Sequence, residues 1–138
     1  MLETKHWFIF LASSQRYLGT CVVVLKRHCQ DLMELNSDEW VEFGKIVQKM
    51  EKSLNELFKP DLFNWSCFKN AAFRDKNPQP EIHWHFLPRY CEPVEYNGII
   101  FNDPDFGYIP QPIHRKIPLE VRNDLFKLLK STMDNDEI

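Results

Sequence analysis

Apolar and polar positions along the chain follow two rhythms, and each predicts a different kind of element. His6 to Leu11 (His-Trp-Phe-Ile-Phe-Leu) and Gly19 to Leu25 (Gly-Thr-Cys-Val-Val-Val-Leu) are rich in β-branched and aromatic residues, with the short polar stretch Ser13 to Arg16 between them. That arrangement predicts a β-hairpin. From Asn36 the rhythm changes: Trp40, Phe43, Val47, Met50, Leu54 and Leu57 recur at alternating spacings of three and four until Pro60. Such spacing lays one apolar stripe along a helix. Asn36 followed three positions later by Glu39 is a capping-box pattern at its start, and Pro60 stops it. Asn64 to Asn70 reads as a third strand, Phe73 to Pro80 as a polar loop, and Glu81 to Tyr90 as a fourth strand. Cys91 to Arg115 is rich in turn formers, including Asn97-Gly98 and Asp103-Pro104. Pro118 to Met133 predicts a terminal helix with Val121, Leu125, Leu128 and Leu129 inward, and Asp134 to Ile138 reads as a frayed end. Together these elements predict an α+β fold, an antiparallel sheet with a long helix packed on one face plus a C-terminal helix. With no internal repeat and no linker, residues 1–138 read as one domain, its core at about 6–90 and a loop-rich extension with the terminal helix at 91–138.

Composition narrows the setting. Of 138 residues, 43% are hydrophobic and 14% aromatic, enough apolar mass for a core of its own. The net charge of −3 and the scattered positive residues exclude the electrostatic footprint of an extended nucleic-acid partner. The start, Met1-Leu2-Glu3-Thr4-Lys5-His6, is charged where a signal peptide is apolar, and no segment is long enough to cross a bilayer. These features predict no membrane association and a cytoplasmic location. Cys21, Cys29, Cys67 and Cys91 lack C-x-x-C spacing, which favours free thiols over disulfides or a zinc cage.

The chemistry concentrates in Pro80-Glu81-Ile82-His83-Trp84-His85-Phe86-Leu87-Pro88-Arg89. In a strand, residues two apart share a face, so Glu81, His83 and His85 point one way while Ile82, Trp84 and Phe86 point into the opposite layer. Two imidazoles on one face offer a nucleophile or base. Arg89, Lys69, Arg74 and Lys76 are cations within reach of this stretch in sequence.

The hairpin, then Val24-Leu25-Lys26-Arg27-His28, then Asp31-Leu32-Met33-Glu34-Leu35, the helix, and His83-Trp84-His85-Phe86-Leu87-Pro88-Arg89 together resemble the histidine triad (HIT) superfamily of nucleotide hydrolases and transferases. The likeness runs from about His6 to Tyr90. Leu87-Pro88-Arg89 fixes the register: His83 matches the middle histidine of the family's His-x-His-x-His, His85 the last, and Glu81 stands at the first. The resemblance implies that His83 attacks the α-phosphorus of a dinucleoside polyphosphate or nucleoside phosphoramidate, forming a covalent nucleotidyl-histidine. It implies that His85 stabilises the phosphate oxygens, and that the residue at the first position serves through its backbone carbonyl, a role Glu81 can fill. Asn70 matches a phosphate- or ribose-facing amide, and Asn77 a residue near the leaving group. Ala12 and Thr20 replace polar family residues, so Ser13 or Ser14 is expected to supply the missing ribose contact, with Phe8 and Phe10 as candidate walls for the base. No cofactor is implied, although Mg2+ accompanies polyphosphate substrates. The implied partners are a small-molecule nucleotide and a second copy of the chain, a homodimer made by extending the sheet.

Two other readings fit the same residues. One is a metal-dependent enzyme that uses Glu81, His83 and His85 as a two-histidine, one-carboxylate ligand set. The other is a non-catalytic nucleotide-binding or adaptor module that keeps the fold without turnover.

Overall fold

In the computed structural model, which describes residues 1–135, the N-terminal part of the chain folds back on itself twice. β1 (Leu2–Glu3) pairs antiparallel with β2 (Trp7–Leu11), and β2 pairs with β3 (Cys21–Leu25) so that Trp7 stands opposite Leu25 and Leu11 opposite Cys21. Alternation gives the hairpin one buried face, made by Trp7, Ile9 and Leu11 beside Cys21, Val23 and Leu25. The hairpin lies where its pattern predicts it. β1 is a two-residue strand with one charged member, too short to carry a pattern.

The loop joining β2 to β3 is closed from within by the buried side chain of Gln15. Its amide donates to the carbonyls of Ala12 and Thr20 at 3.0 and 2.8 Å, and its Oε1 accepts from the Gly19 amide at 3.0 Å. Gly19 has φ +89°, and a Cβ there would stand 2.5 Å from Leu54 Cδ1. Both the backbone conformation and the close approach therefore demand glycine.

α1 (Ser37–Phe58) begins as predicted, with both halves of the capping box formed. The Asn36 side chain accepts from the Glu39 amide at 3.0 Å, and the Glu39 carboxylate accepts from the Asn36 amide at 2.9 Å. It ends at Lys59, in the left-handed conformation at φ 49°, just before Pro60. Phe43, Ile46, Met50 and Leu54 form its buried stripe, joined by Ser53 and Glu39. Trp40, predicted inward, lies exposed at the stripe's edge, and Val47 and Leu57 are half-buried. The stripe turns this way because Glu39 is drawn inward: Arg27 Nε donates to its Oε1 at 2.6 Å, and Trp7 Nε1 donates to its carbonyl at 3.1 Å. The Arg27 hydrogen bond holds the Glu39 carboxyl below its ordinary pKa, outweighing the opposite push of burial.

β4 (Leu62–Ser66) and β5 (His83–Arg89) complete a five-stranded sheet in the order β1-β2-β3-β5-β4. β5 is thus central, and β4 has a strand neighbour on one side only among the described residues. The strand expected at Asn64 to Asn70 starts two residues earlier and stops at Ser66. Beyond it Lys69 turns to an ion pair with Asp31, and Asn70–Arg74 winds into a short 3-10 helix at the start of the expected loop.

After β5 the chain forms a second hairpin, β6 (Val94–Tyr96) and β7 (Ile99–Phe101), inside the segment read as loop. Asn97 and Gly98 take φ of 47° and 78° at its turn, the two left-handed positions such a hairpin requires. α2 (Leu119–Asn135) follows, with Leu125, Leu129 and Met133 in the core shared with α1 and the sheet. Val121 and Leu128, expected inward, are half-buried. The expected frayed end is helical through Asn135, and residues 136–138 lie outside the described residues. Both helices cover the β2 and β3 face that carries Ile9 and Cys21, which leaves the opposite face to residues 103–115.

Arg89 joins that segment to the sheet. Its Nε and Nη2 donate to the two carboxylate oxygens of Asp103 at 2.5 and 3.0 Å, with both side chains 1% exposed. The remaining donors reach Asn64 Oδ1 and the carbonyls of Tyr108 and Asp105 at 3.1, 3.0 and 2.9 Å. Asp103→Asn leaves a buried cation without its counter-charge and is expected to lower stability by about 3–5 kcal/mol in urea titration. Glu3→Gln, which breaks the exposed pair with Lys26, is the control and is expected to shift the midpoint far less.

Candidate active site

β5 sorts its side chains by face. Phe86 is fully buried and Trp84 stacks on Phe43 of α1 at 4.8 Å, while His83, His85, Leu87 and Arg89 leave the other side. The rings of His83 and His85 are 5.1 Å apart and nearly perpendicular. His83 Nδ1 lies 2.9 Å from the Glu81 carbonyl oxygen. A carbonyl can only accept, so this contact calls for an N–H at Nδ1, and in the neutral ring that tautomer has its lone pair on Nε2. His85 is half-buried. Loss of solvation, and then the neighbouring His83, hold its pKa below the ordinary histidine value, so near neutral pH it is uncharged with one ring N–H to donate.

Glu81 answers two questions at once. Its backbone carbonyl serves His83, while its carboxylate is engaged by His28 Nδ1 and accepts from the Cys29 amide at 3.3 Å. The carboxylate therefore does not converge with His83 and His85 on one point. Among the described residues no group of three His, Cys, Asp or Glu side chains is placed to hold a metal ion.

Beside His85 opens a cavity of about 790 Å³. Val22, Asn64, Ser66, His85 and Leu87 form its sheet face, Ser13, Ser14, Arg16 and Tyr17 one wall, and Gly107 to His114 its outer side. His83 is not part of this lining. Ser13 and Ser14 are, and the Ser14 hydroxyl accepts from the Arg115 amide at 3.0 Å. Asn70 and Asn77 are exposed, on the 3-10 helix and in the loop before β5, and neither lines the cavity. Phe8 and Phe10, considered as base-pocket walls, have rings 6.0 Å apart on β2 and do not line this cavity. Arg89 and Lys69, considered as phosphate cations, are committed to Asp103 and Asp31. Arg74 and Lys76 are exposed. The residues that sequence reasoning missed are Arg16, Tyr17 and the 107–114 segment. Its apolar run, Tyr108-Ile109-Pro110 and Pro112-Ile113, has no strand or helix period, and that is the signal of side chains kept for a surface or ligand contact.

The HIT domain family model matches residues 1–92, and the chain belongs to this family. Solved structures with the same fold include a hypothetical histidine triad nucleotide-binding protein of Sulfolobus tokodaii strain7, 18% identical, with TM-score 0.66 over 97% of this chain and 82% of that one. A histidine triad protein of Marinobacter aquaeolei VT8 is 16% identical, with TM-score 0.67 over 96% and 85%. The NitFhit protein of C. elegans is 18% identical, with TM-score 0.60 over 93% of this chain and 26% of that longer one. No curated protein matches the chain. Membership of the family supports nucleotide-binding hydrolase or transferase activity in general. No helix among the described residues is long and apolar enough to cross a membrane.

If Glu81 acts through its carbonyl, Glu81→Gln keeps that group and is expected to change turnover by less than about tenfold, about 1.4 kcal/mol in barrier. Steady-state rates on a nucleoside phosphoramidate check this. A loss as deep as that of His83→Ala would give the carboxylate a chemical role.

Proposed function

We propose that this protein is a nucleotide hydrolase or nucleotidyl transferase acting at the α-phosphate of dinucleoside polyphosphates or nucleoside phosphoramidates. The observation that carries the reading is the Glu81 carbonyl against His83 Nδ1, which in the neutral ring puts the lone pair on Nε2, with His85 beside it on the same face of β5. In the first step Nε2 bonds to phosphorus as the bond to the leaving group breaks. From a dinucleoside polyphosphate the second nucleoside departs with the remaining phosphates as an anion, and from a phosphoramidate the amine departs with a proton from solvent. Positive charge that develops on the His83 ring is shared with the Glu81 carbonyl, and the His85 N–H meets the phosphoryl oxygens. Water then displaces His83, losing a proton to solvent, and the nucleoside monophosphate is released; in a transferase another acceptor displaces His83 and carries the nucleotidyl group away. No cofactor enters these steps; Mg2+ accompanies polyphosphate substrates.

His83→Ala is expected to abolish turnover while leaving the fold intact, because the ring leaves β5 on the face away from the core. An α-labelled nucleotide is expected to leave acid-labile, base-stable label on the wild-type protein and none on the variant. A protein that binds nucleotide but never takes up label is the non-catalytic module. Phosphoramidate turnover lost in chelator and restored by one specific metal would return the metal reading.

The same reading includes a homodimer in which the free edge of β4 pairs across a two-fold axis. Light scattering coupled to gel filtration is expected to give twice the chain mass, and a monomer at all concentrations would remove this part alone.

A further inference from the structure

We propose that His28 is a positioning residue for His83: it holds the Glu81 carboxylate aside, so that the Glu81 carbonyl, and not the carboxylate, keeps the ring proton of the attacking histidine. The inference rests on the nucleotide reading, in which His83 is the nucleophile, and adds a residue that this reading does not use.

The backbone around the contact is fastened first. The Leu25 amide donates to the Ile82 carbonyl and the Ile82 amide donates to the Cys29 carbonyl, each at 3.1 Å. Ile82, 1% exposed, is itself part of the core. A peptide unit is planar and trans, so the Ile82 N–H and the Glu81 carbonyl point in opposite directions within one plane. Holding the N–H on Cys29 therefore aims the carbonyl, which lies 2.9 Å from His83 Nδ1. The same two bonds set residues 26–28 beside the approach to β5.

The side chain is fastened second. Both oxygens of the Glu81 carboxylate are engaged, Oε1 by His28 Nδ1 and Oε2 by the Cys29 amide at 3.3 Å. An ionised carboxylate only accepts, so His28 donates. Two nearby cations are committed elsewhere, Arg27 to Glu39 and Lys69 to Asp31. His28 is thus the side chain that this loop offers Glu81.

Folding stability gives the pair little reason to exist. The His28 and Glu81 side chains are 62% and 46% exposed, and exposed pairs contribute little to stability. Chemistry gives it a stronger one. The carbonyl and the carboxylate belong to one residue, two positions before His83. A charged acceptor forms a stronger hydrogen bond than a neutral one, so a freed carboxylate competes with the carbonyl for the Nδ1 proton and draws the ring out of line. It also repels the anionic phosphate that His83 must reach. A neutral side chain at this position would leave the carbonyl without a rival, whereas a glutamate needs a partner that occupies it.

The test is a double-mutant cycle on the full chain, with two readouts. One is kcat/KM for an adenosine phosphoramidate. The other is the imidazole nitrogen NMR spectrum of isotope-labelled histidine, in which His83 is assigned by the signals lost in His83→Ala. His28→Ala is expected to lower kcat/KM by about tenfold while the urea midpoint stays nearly unchanged. Adding Glu81→Gln, which removes the freed charge, is expected to bring the rate back to within about threefold of wild type. The His83 ring signals are expected to move in His28→Ala and to return in the double variant. A merely structural link predicts the opposite order, because the double variant lacks both halves of the pair. A wild-type rate in His28→Ala, or a double variant as slow as His28→Ala, would overturn the proposal and leave the nucleotide reading standing. A wild type without turnover would overturn the nucleotide reading; the spectra then decide the positioning role, and His83 signals unchanged in His28→Ala would overturn it as well.

Discussion

A buried guanidinium must be matched group for group, and Arg89 shows what that requirement organises. It ends the strand that carries both histidines, and its donors reach Asn64 of β4, the Asp103 carboxylate and two carbonyls of the segment that crosses the open face. Its guanidinium also lies 4.7 Å above the Tyr17 ring. Because an unpaired charge in that position is far more costly than an unpaired surface charge, these contacts form together or not at all. Sheet, loop and covering segment are therefore coupled through one side chain next to the chemistry.

The same residue marks the boundary of what could be read from the sequence. The start of the helix was legible to the residue, because capping chemistry acts between neighbours and Asn36 and Glu39 are three apart. The hairpin and the shared face of His83 and His85 were legible because strand alternation is local too. Arg89 looked like a free cation beside two histidines, since its partner Asp103 is fourteen residues away across a second hairpin. The place of the Glu81 carboxylate was hidden for a similar reason: the groups that engage it, His28 and Cys29, belong to the segment after β3. The third strand slipped because the pattern Asn64 to Asn70 is weak, and its ends are set by pairing with β5. The cavity was invisible altogether, since no single stretch of chain contains more than one of its walls.

Glu81 also illustrates how a motif can change a residue and keep a backbone contact. A site that needs a backbone carbonyl places no demand on the side chain that follows it, so substitution at that position is free in chemistry and constrained in placement. Here the carboxylate finds its own use, bridging the approach to β5 with the end of β3. The relatives of known structure share less than a quarter of their residues with this chain yet keep its fold. That is expected where alternation, and not identity, specifies a sheet. The apolar core nevertheless runs past the matched residues, through Phe101, Leu125, Leu129 and Met133.

The two-ended anchoring of the covering segment has an evolutionary consequence. Its fixed points are backbone groups and buried ions, whereas the residues between them contribute almost nothing to the folded core. Mutations there can accumulate without a stability penalty and without touching the imidazoles. The surface this short stretch presents can thereby change without disturbing the strand that carries His83 and His85.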